Sequence, residues 1–182
     1  SDSTRRLGAR GLEATPASRL LLKSAGLDVP GVAARCEARL RAHGIDPARV
    51  ELLGRVSARA SHLGMYARVD VALDTFPYHG TTTTCEALWM GVPVVTLAGD
   101  SHRARVGVSL LSAIGRPDWV AHSENEYVRI ASELAARGER ASGEGERLRD
   151  AMRGSALLDH AGQAAKFAAA LQRCVAEKAA AA

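Results

Sequence analysis

The chain has 182 residues, 47% of them hydrophobic and 24% charged, which allows one sizeable core and is too short for two large domains. The formal net charge of +4 comes from arginines spread along the chain, and only 4% of the residues are aromatic. Since no basic run accompanies this charge, nucleic acid is not an expected partner.

Cysteine usage and the length of the apolar runs indicate a cytoplasmic protein. The three cysteines are odd in number and form no C-x-x-C pair, so they predict neither a zinc site nor a disulfide framework and suit a reducing compartment. No apolar run approaches the roughly 20 residues that span a bilayer. The first six residues lack the apolar core of a signal peptide. We therefore expect a cytoplasmic location and no membrane partner.

Five predicted strands alternate with helices. Residues 1–18 are poorly defined, because a short helix over Arg5–Glu13 is weakened by two glycines and ended by Pro16. Hydrophobic periodicity predicts strands at Arg19–Lys23, Val50–Leu53, Val69–Leu73, Pro93–Leu97 and Trp119–Ala121. The helices predicted between them are Val32–His43, Ala58–Arg68 capped by Ser57, Thr81–Met90 and Arg103–Ile114. After the last strand we expect a helix from Ser123 to Arg137, a helical segment to Arg153 and a closing helix from His160. This alternation is typical of an α/β fold with a doubly wound parallel sheet, Rossmann-like in architecture.

The loops after the strands are expected to meet at one edge of this sheet. Right-handed crossovers place the carboxyl ends of parallel strands together, where open α/β sheets bind their ligands. These loops carry Lys23, Ser57, Asp74–Thr83 and Gly99–His102. For Lys23 a solvated strand-end lysine is the commoner explanation, and for Asp100 and Ser101 it is helix capping.

The strongest motif joins the third strand to its helix through a glycine turn and four consecutive threonines. Its candidate binding residues are Gly80, Thr81, Thr82, Thr83 and Glu86. The first N–H groups of a helix and its dipole attract an anion, and the hydroxyls add donors. The glycine lets the backbone approach a ligand closely. The carboxylate lies one turn further along the same face, where it can accept from a ribose diol. The pattern indicates a nucleotide, although a simple helix cap with a solvated glutamate explains it about as well.

Two further candidates lie on the preceding helix. Arg59 and His62 are three residues apart and therefore share a face near the start of that helix. In the functional interpretation, Arg59 recognises a base or a phosphate and His62 stacks against a base. On the residues alone, two ordinary surface side chains are the commoner explanation.

Residues Asp70–Gly99 closely resemble the C-terminal catalytic half of the O-linked N-acetylglucosamine transferase family, which includes the plant SPINDLY proteins and bacterial transferases with tetratricopeptide repeats. The likeness continues through Arg105–Leu111 and Val50–Val56 and covers about residues 19–160. It implies a GT-B glycosyltransferase of two Rossmann halves, with this chain supplying the nucleotide-sugar half. It also implies transfer of N-acetylglucosamine from UDP-GlcNAc to Ser or Thr hydroxyls of an acceptor protein.

The resemblance gives a role to every candidate except Gly80. Thr81, Thr82 and Thr83 match the diphosphate-binding stretch, Glu86 the ribose-binding carboxylate, His62 the base-stacking histidine, Arg59 a basic residue near the uracil, and Ser57 a backbone contact to the base. Met65 stands where the animal enzymes have an arginine, so base recognition is expected to differ. No catalytic residue is named. Because the sequence has no Asp-x-Asp pair, we expect no metal and no cofactor besides the nucleotide sugar.

Other parts of the family pattern are not found. The first strand of this half, with a lysine that supports the leaving diphosphate, should precede residue 19, and the N-terminal residues do not resemble it. The other Rossmann half and the repeats are absent, so we expect a fragment divided into residues 1–18, a nucleotide-sugar domain at 19–160 and a C-terminal helix at 161–182. Two alternatives stay open, namely a GDP-fucose-dependent protein O-fucosyltransferase and a non-catalytic nucleotide-binding fragment.

Overall fold

The computed structural model describes residues 2–138 and 143–180. Its helices are α1 (Asp2–Ala14), α2 (Pro30–Arg41), α3 (Arg59–Gly64), α4 (Thr82–Trp89), α5 (Val106–Ala113), α6 (Glu124–Arg137), α7 (Glu144–Arg153) and α8 (His160–Ala180). Its strands are β1 (Leu20–Lys23), β2 (Val50–Leu53), β3 (Ala72–Leu73), β4 (Val94–Leu97) and β5 (Val120–Ala121). Of the predicted helical segment that ends at Arg153, residues 139–142 lie outside the described residues, and the remainder contains α7.

The five strands form two parallel ladders. β1 pairs with β2, and β4 lies between β3 and β5 in the other ladder. The predicted α/β fold with parallel strands is confirmed, and the strands are divided between two ladders. Within the described ranges no strand lies between β1 and β3, and a cavity of about 820 Å³ separates the ladders there.

The main hydrophobic core surrounds β4, whose four residues are all buried. Leu88 from α4, Leu111 from α5 and Trp119 before β5 are at most 1% exposed and pack in the same cluster. A strand that is covered by helices on both faces is a continuous apolar run in the sequence. The sequence therefore predicts β4 correctly.

Helix α1 packs against both ladders. Its Leu7 belongs to the main core, whereas Leu12 packs in a second cluster with Leu40 beside β1 and β2. The helix is longer than the predicted 5–13 in spite of its glycines. Gly8 is buried, and a Cβ at this position would lie 3.7 Å from Leu20 Cδ2, so tertiary packing outweighs low helix propensity here.

The helix predicted at 58–68 is divided. α3 ends at Gly64, and residues Met65–Arg68 continue as a 3-10 turn. The predicted cap by Ser57 is wrong, because the N-cap position is Ala58 and no side chain accepts a hydrogen bond there.

The end of α4 touches the start of α7 through two glycines. Gly91 follows the C-cap residue with φ +78, a conformation that favours glycine. A Cβ on Gly91 would lie 2.6 Å from the Cα of Gly145. The C-terminal end of α4 is therefore in direct backbone contact with α7.

Candidate functional site

The threonine cluster lies on the surface at the start of α4. Thr81, Thr82 and Thr83 are exposed, whereas Thr84 is buried and donates to the Gly80 carbonyl oxygen at 3.0 Å. The first backbone bond of this turn runs from Cys85 N to Thr81 O at 3.0 Å. The N–H groups of residues 82–84 precede this bond and have no intrahelical acceptor. The cluster therefore presents hydroxyls and helix-terminal N–H groups together, as an anion site requires.

A buried carboxyl group fixes the turn before the cluster. Asp74 follows β3, is 7% exposed, and its Oδ1 accepts from Gly80 N at 2.8 Å. A Cβ on Gly80 would lie 2.4 Å from Thr83 Oγ1 and 2.8 Å from Thr84 Oγ1, so only glycine fits at this position. The turn is thus tied to the strand end and packed against the threonines that it presents.

The same carboxyl group belongs to a buried polar network. Thr96 Oγ1 donates to Asp74 Oδ2 at 2.9 Å, and Tyr127 OH donates to the Asp74 carbonyl oxygen at 2.9 Å. Burial raises the pKa of Asp74, and hydrogen bonds from Gly80 and Thr96 offset part of that rise. The carboxyl group is therefore held by donors that suit its charged form.

His79 completes this network in one tautomer. Gly107 N donates to His79 Nδ1 at 3.1 Å, and since a backbone N–H only donates, the ring proton is assigned to Nε2. Nε2 then donates to the Leu97 carbonyl oxygen at 3.0 Å. The backbone N–H of His79 also donates to the Arg103 carbonyl oxygen at 2.9 Å. Together these bonds join the loops that follow β3 and β4.

A line of three charged or polar side chains crosses from α4 to β1. The Glu86 Oε2 atom lies 2.9 Å from His62 Nε2. On the other side of the ring, the Lys23 ammonium is in hydrogen-bond contact with His62 Nδ1. Since an ammonium only donates, Nδ1 accepts, and the neutral ring carries its proton on Nε2 toward the carboxylate. The structure thus places Lys23 in contact with His62, with Glu86 on the opposite side of the ring.

Tyr66 borders this line. Its ring meets the His62 ring edge-on at a centroid distance of 5.9 Å, and its hydroxyl donates to the Thr83 carbonyl oxygen at 3.2 Å. Burial, followed by the negative charge of Glu86, raises the pKa of Tyr66 to about 12. The phenol therefore stays protonated at neutral pH and links α4 to the turn after α3.

The other predicted residues lie in exposed positions. Ser57 and Arg59 are both exposed at the start of α3, one turn from His62. In the loop after β4, residues 100–102 are exposed, and the Ser101 side chain makes no cap hydrogen bond. The diphosphate, ribose and base roles of the eight candidate residues stay predictions.

Three residues of this region were missed as contributors. Thr96 is a polar residue inside an otherwise apolar strand, and this interruption is a signal for a buried partner. His79 stood within the motif without a role. Tyr66 carried no signal, because its place depends on the 3-10 turn that replaces the end of the predicted helix.

The described part of the chain holds no group of three or more His, Cys, Asp and Glu side chains able to bind a metal ion. Metal-independent chemistry stays a prediction.

A profile of glycosyl transferase family 41 matches residues 12–166. The chain belongs to glycosyl transferase family 41. Plant relatives are named probable UDP-N-acetylglucosamine–peptide N-acetylglucosaminyltransferase SPINDLY. The protein of Oryza sativa is 47% identical over 128 residues, which cover 70% of this chain and 14% of the relative. The protein of Solanum lycopersicum is 44% identical over 153 residues, which cover 84% and 16%.

A solved structure has the same fold as this chain. A mutant O-GlcNAc transferase of Thermobaculum terrenum matches with a TM-score of 0.85 and 38% identity, covering 93% of this chain and 32% of that one. The predicted family resemblance and GT-B fold class are confirmed. The chain spans about a sixth of the length of the plant relatives. None of the described helices combines the length and the hydropathy needed to cross a membrane.

Proposed function

We propose that this chain is the nucleotide-sugar-binding part of a protein O-glycosyltransferase that transfers N-acetylglucosamine from UDP-GlcNAc to Ser or Thr hydroxyls. The observation that carries the proposal is the exposed threonine cluster at the start of α4, with Glu86 one turn behind it. The names of the plant relatives and of the bacterial structure support the donor sugar.

The diphosphate of the donor would bind at the threonine cluster. Hydroxyls of Thr82 and Thr83 and the first N–H groups of α4 are donors, and the helix dipole adds partial positive charge. As the sugar leaves, negative charge grows on the diphosphate, and donors that are already oriented stabilise it at little reorganisation cost. Since these donors belong to the protein, the proposed chemistry needs no metal ion.

The nucleoside would bind along the line from Glu86 to His62. The Glu86 carboxylate can exchange its contact with His62 for the ribose diol, which leaves the His62 ring free to stack on the base. Lys23 would keep His62 in its orientation and add positive charge near the phosphates. Arg59 and Ser57, exposed at the start of α3, would border the base.

The rest of the enzyme would supply the acceptor site. A cleft of the GT-B type encloses donor and acceptor between two halves, so we expect no transfer by this chain alone. We also propose that the protein acts in the cytoplasm, which agrees with its three free cysteines.

UDP binding by the chain tests this function. Hydrogen bonds to a charged group contribute about 1.5–3 kcal/mol each, so changing both Thr82 and Thr83 to Ala should weaken UDP binding by about 100-fold or more. Ser112→Ala is the matched control, because Ser112 is exposed at the far end of α5. Equal affinities of the double variant and the control in calorimetry would refute the diphosphate role. If the isolated chain binds no UDP, donor turnover by the longer protein with the same changes decides the matter.

Competition between UDP and GDP separates the two donor classes. Stronger displacement by GDP would replace the N-acetylglucosamine proposal with the fucosyltransferase alternative.

A further inference from the structure

A buried histidine bonds to three points of the loop that follows β4. His79 is 2% exposed and lies between β3 and α4. Its Nε2 donates to the carbonyl oxygen of Leu97, the last residue of β4, at 3.0 Å. Its backbone N–H donates to the Arg103 carbonyl oxygen at 2.9 Å. Its Nδ1 accepts from the N–H of Gly107, in the first turn of α5, at 3.1 Å. One residue therefore holds the start, the middle and the end of this loop.

The bond to Gly107 fixes a point that the sheet does not fix. Leu97 is paired with Ala121 of β5, so the place of its carbonyl group does not depend on the histidine. Gly107 is buried, and its N–H precedes the first backbone bond of α5, so it has no acceptor within the helix. The N-cap residue, Arg105, supplies no side-chain acceptor either. The imidazole of His79 therefore caps α5 and decides where the loop returns to the core.

Bonds inside the loop join its two ends to its tip. Gly99 N donates to the Ala104 carbonyl oxygen at 2.9 Å, and the Arg105 side chain donates to the Gly99 carbonyl oxygen at 3.2 Å. A Cβ on Gly99 would lie 2.7 Å from Ala104 Cβ and 3.0 Å from Phe76 Cε2, so the base of the loop is closely packed. Residues 100–103 are exposed at the tip. A shift at the α5 end should therefore move the exposed tip as one unit.

This loop borders the threonine cluster on the side away from Lys23. In the ladder β3 lies between β4 and the cavity, and β1 lines that cavity from its other side. The line from Glu86 through His62 therefore runs in the opposite direction from the β4 loop. His79 directly precedes Gly80, so the loop and the threonine turn meet at this residue. If the nucleoside binds on the β1 side, the sugar beyond the diphosphate lies on the side of the β4 loop.

We propose that His79 is a positioning residue for the donor site, and that its bond to Gly107 keeps the β4 loop beside the threonine cluster, where this loop borders the transferred sugar. The proposal rests on the proposed function. His79 is buried under the turn and acts through the loop rather than on the ligand. A fully bonded polar group in a core fixes one arrangement of its neighbours, which is the property that this role requires.

Two amide substitutions separate the two bonds of the ring. His79→Asn leaves an acceptor in the place of Nδ1 for Gly107 and loses the donor to Leu97. His79→Gln leaves a donor in the place of Nε2 for Leu97 and loses the acceptor for Gly107. Each change removes one hydrogen bond from the same buried ring, so each is the matched control of the other. His79→Leu removes both bonds.

The parent and the three variants are compared in the longer natural protein. The kcat/KM for UDP-GlcNAc should stay within about threefold of the parent in His79→Asn and fall by about tenfold or more in His79→Gln and His79→Leu, because small misplacements near reacting groups slow the reaction strongly. UDP affinity should change by less than about threefold in all variants, since Asp74 Oδ1 holds Gly80 N at 2.8 Å without the histidine. Amide exchange in the loop at Gly99–Arg105 should be about tenfold faster in His79→Gln than in His79→Asn.

Urea unfolding of the same proteins separates positioning from stability. Equal losses of turnover in the asparagine and glutamine variants, or losses that follow the unfolding midpoints of all three, would overturn the proposal and leave His79 a purely structural role. A loss of UDP affinity as large as the loss of turnover would also overturn it, because His79 would then act on the threonine turn. Exchange is measured without a ligand, so equal exchange of the loop in the two amide variants refutes the positioning role whether or not the threonine cluster binds a diphosphate.

Discussion

Replacing Thr96 with valine tests the buried network that supports the Asp74 turn. Thr96 is fully buried, and its hydroxyl donates to Asp74 Oδ2 at 2.9 Å. Valine has nearly the same shape, so the change removes this donor without leaving a large void. Gly80 N continues to donate to the other carboxylate oxygen, and Gly107 N continues to donate to His79.

The free energy of unfolding should fall by about 1.5–3 kcal/mol at neutral pH, because the lost hydrogen bond has a charged acceptor. For a chain of this size the midpoint of thermal unfolding should fall by about 3–12 °C. Thr84→Val is the matched control. Thr84 is also buried, but its hydroxyl donates to the neutral Gly80 carbonyl oxygen, so its loss should be about 0.5–1.5 kcal/mol.

The pH dependence gives the decisive comparison. Thr96 helps to lower the pKa of Asp74 against the rise caused by burial, so the valine variant should have a still higher pKa there. The difference in free energy of unfolding between the parent and the valine variant is therefore fully present at a pH above the Asp74 pKa values of both folded proteins. It shrinks as the pH falls through them, because a protonated carboxyl group no longer depends on this donor.

Urea unfolding of the parent and both variants across a pH series measures these differences. A penalty for Thr96→Val that is no larger than the control penalty, or that is unchanged at acidic pH, would refute the assignment of Asp74 as a charged acceptor in the core.

Two further changes test the packing and the electrostatics of the site. Glu86→Gln should lower the pKa of Tyr66 from about 12, since the negative charge of that carboxylate contributes to the rise, and the absorbance of the phenolate would show it. Because the Tyr66 pKa is raised from 10.0, the parent should lose stability as the pH rises from 10.0 toward that value, and the variant should lose less. An unmoved phenolate titration would contradict the contact. Gly107→Ala places a Cβ 2.4 Å from Thr96 Oγ1 and 2.5 Å from Asp74 Oδ2, so the free energy of unfolding should fall by about 1–3 kcal/mol. Gly31→Ala in α2 is the control, since nothing lies within 4 Å of a Cβ there, and equal effects of the two changes would refute the crowding.

The sequence predicted the order of strands and helices because each buried strand is a short apolar run with a turn or helix start after it. It also predicted that the loops carrying Lys23, Ser57 and Asp74–Thr83 meet at one edge of the fold, since they follow the carboxyl ends of parallel strands. The side-chain contact between Lys23 and His62 did not follow from this argument, because strand and helix patterns do not give the distance between α3 and the end of β1.

The predictions that failed were those decided by tertiary packing. The division of the strands into two ladders was not predicted, because strand patterns do not show which edges pair. The Ser57 cap failed because Ala58 takes the N-cap position of α3. The predicted length of α1 was too short because glycine has a low helix propensity, whereas in the fold Gly8 packs against Leu20 and the helix continues through it.

The contact between Gly91 and Gly145 has a consequence for variation in this family 41 chain. α4 is eight residues long, so this contact lies about 12 Å behind the threonines at the opposite end of the same rigid rod. A Cβ added to Gly91 would clash with the Gly145 Cα and displace α4 relative to α7, whereas a Cβ on Gly145 would lie at contact distance, 3.4 Å from the Gly91 Cα. A substitution at Gly91 should therefore alter ligand affinity from the opposite end of α4.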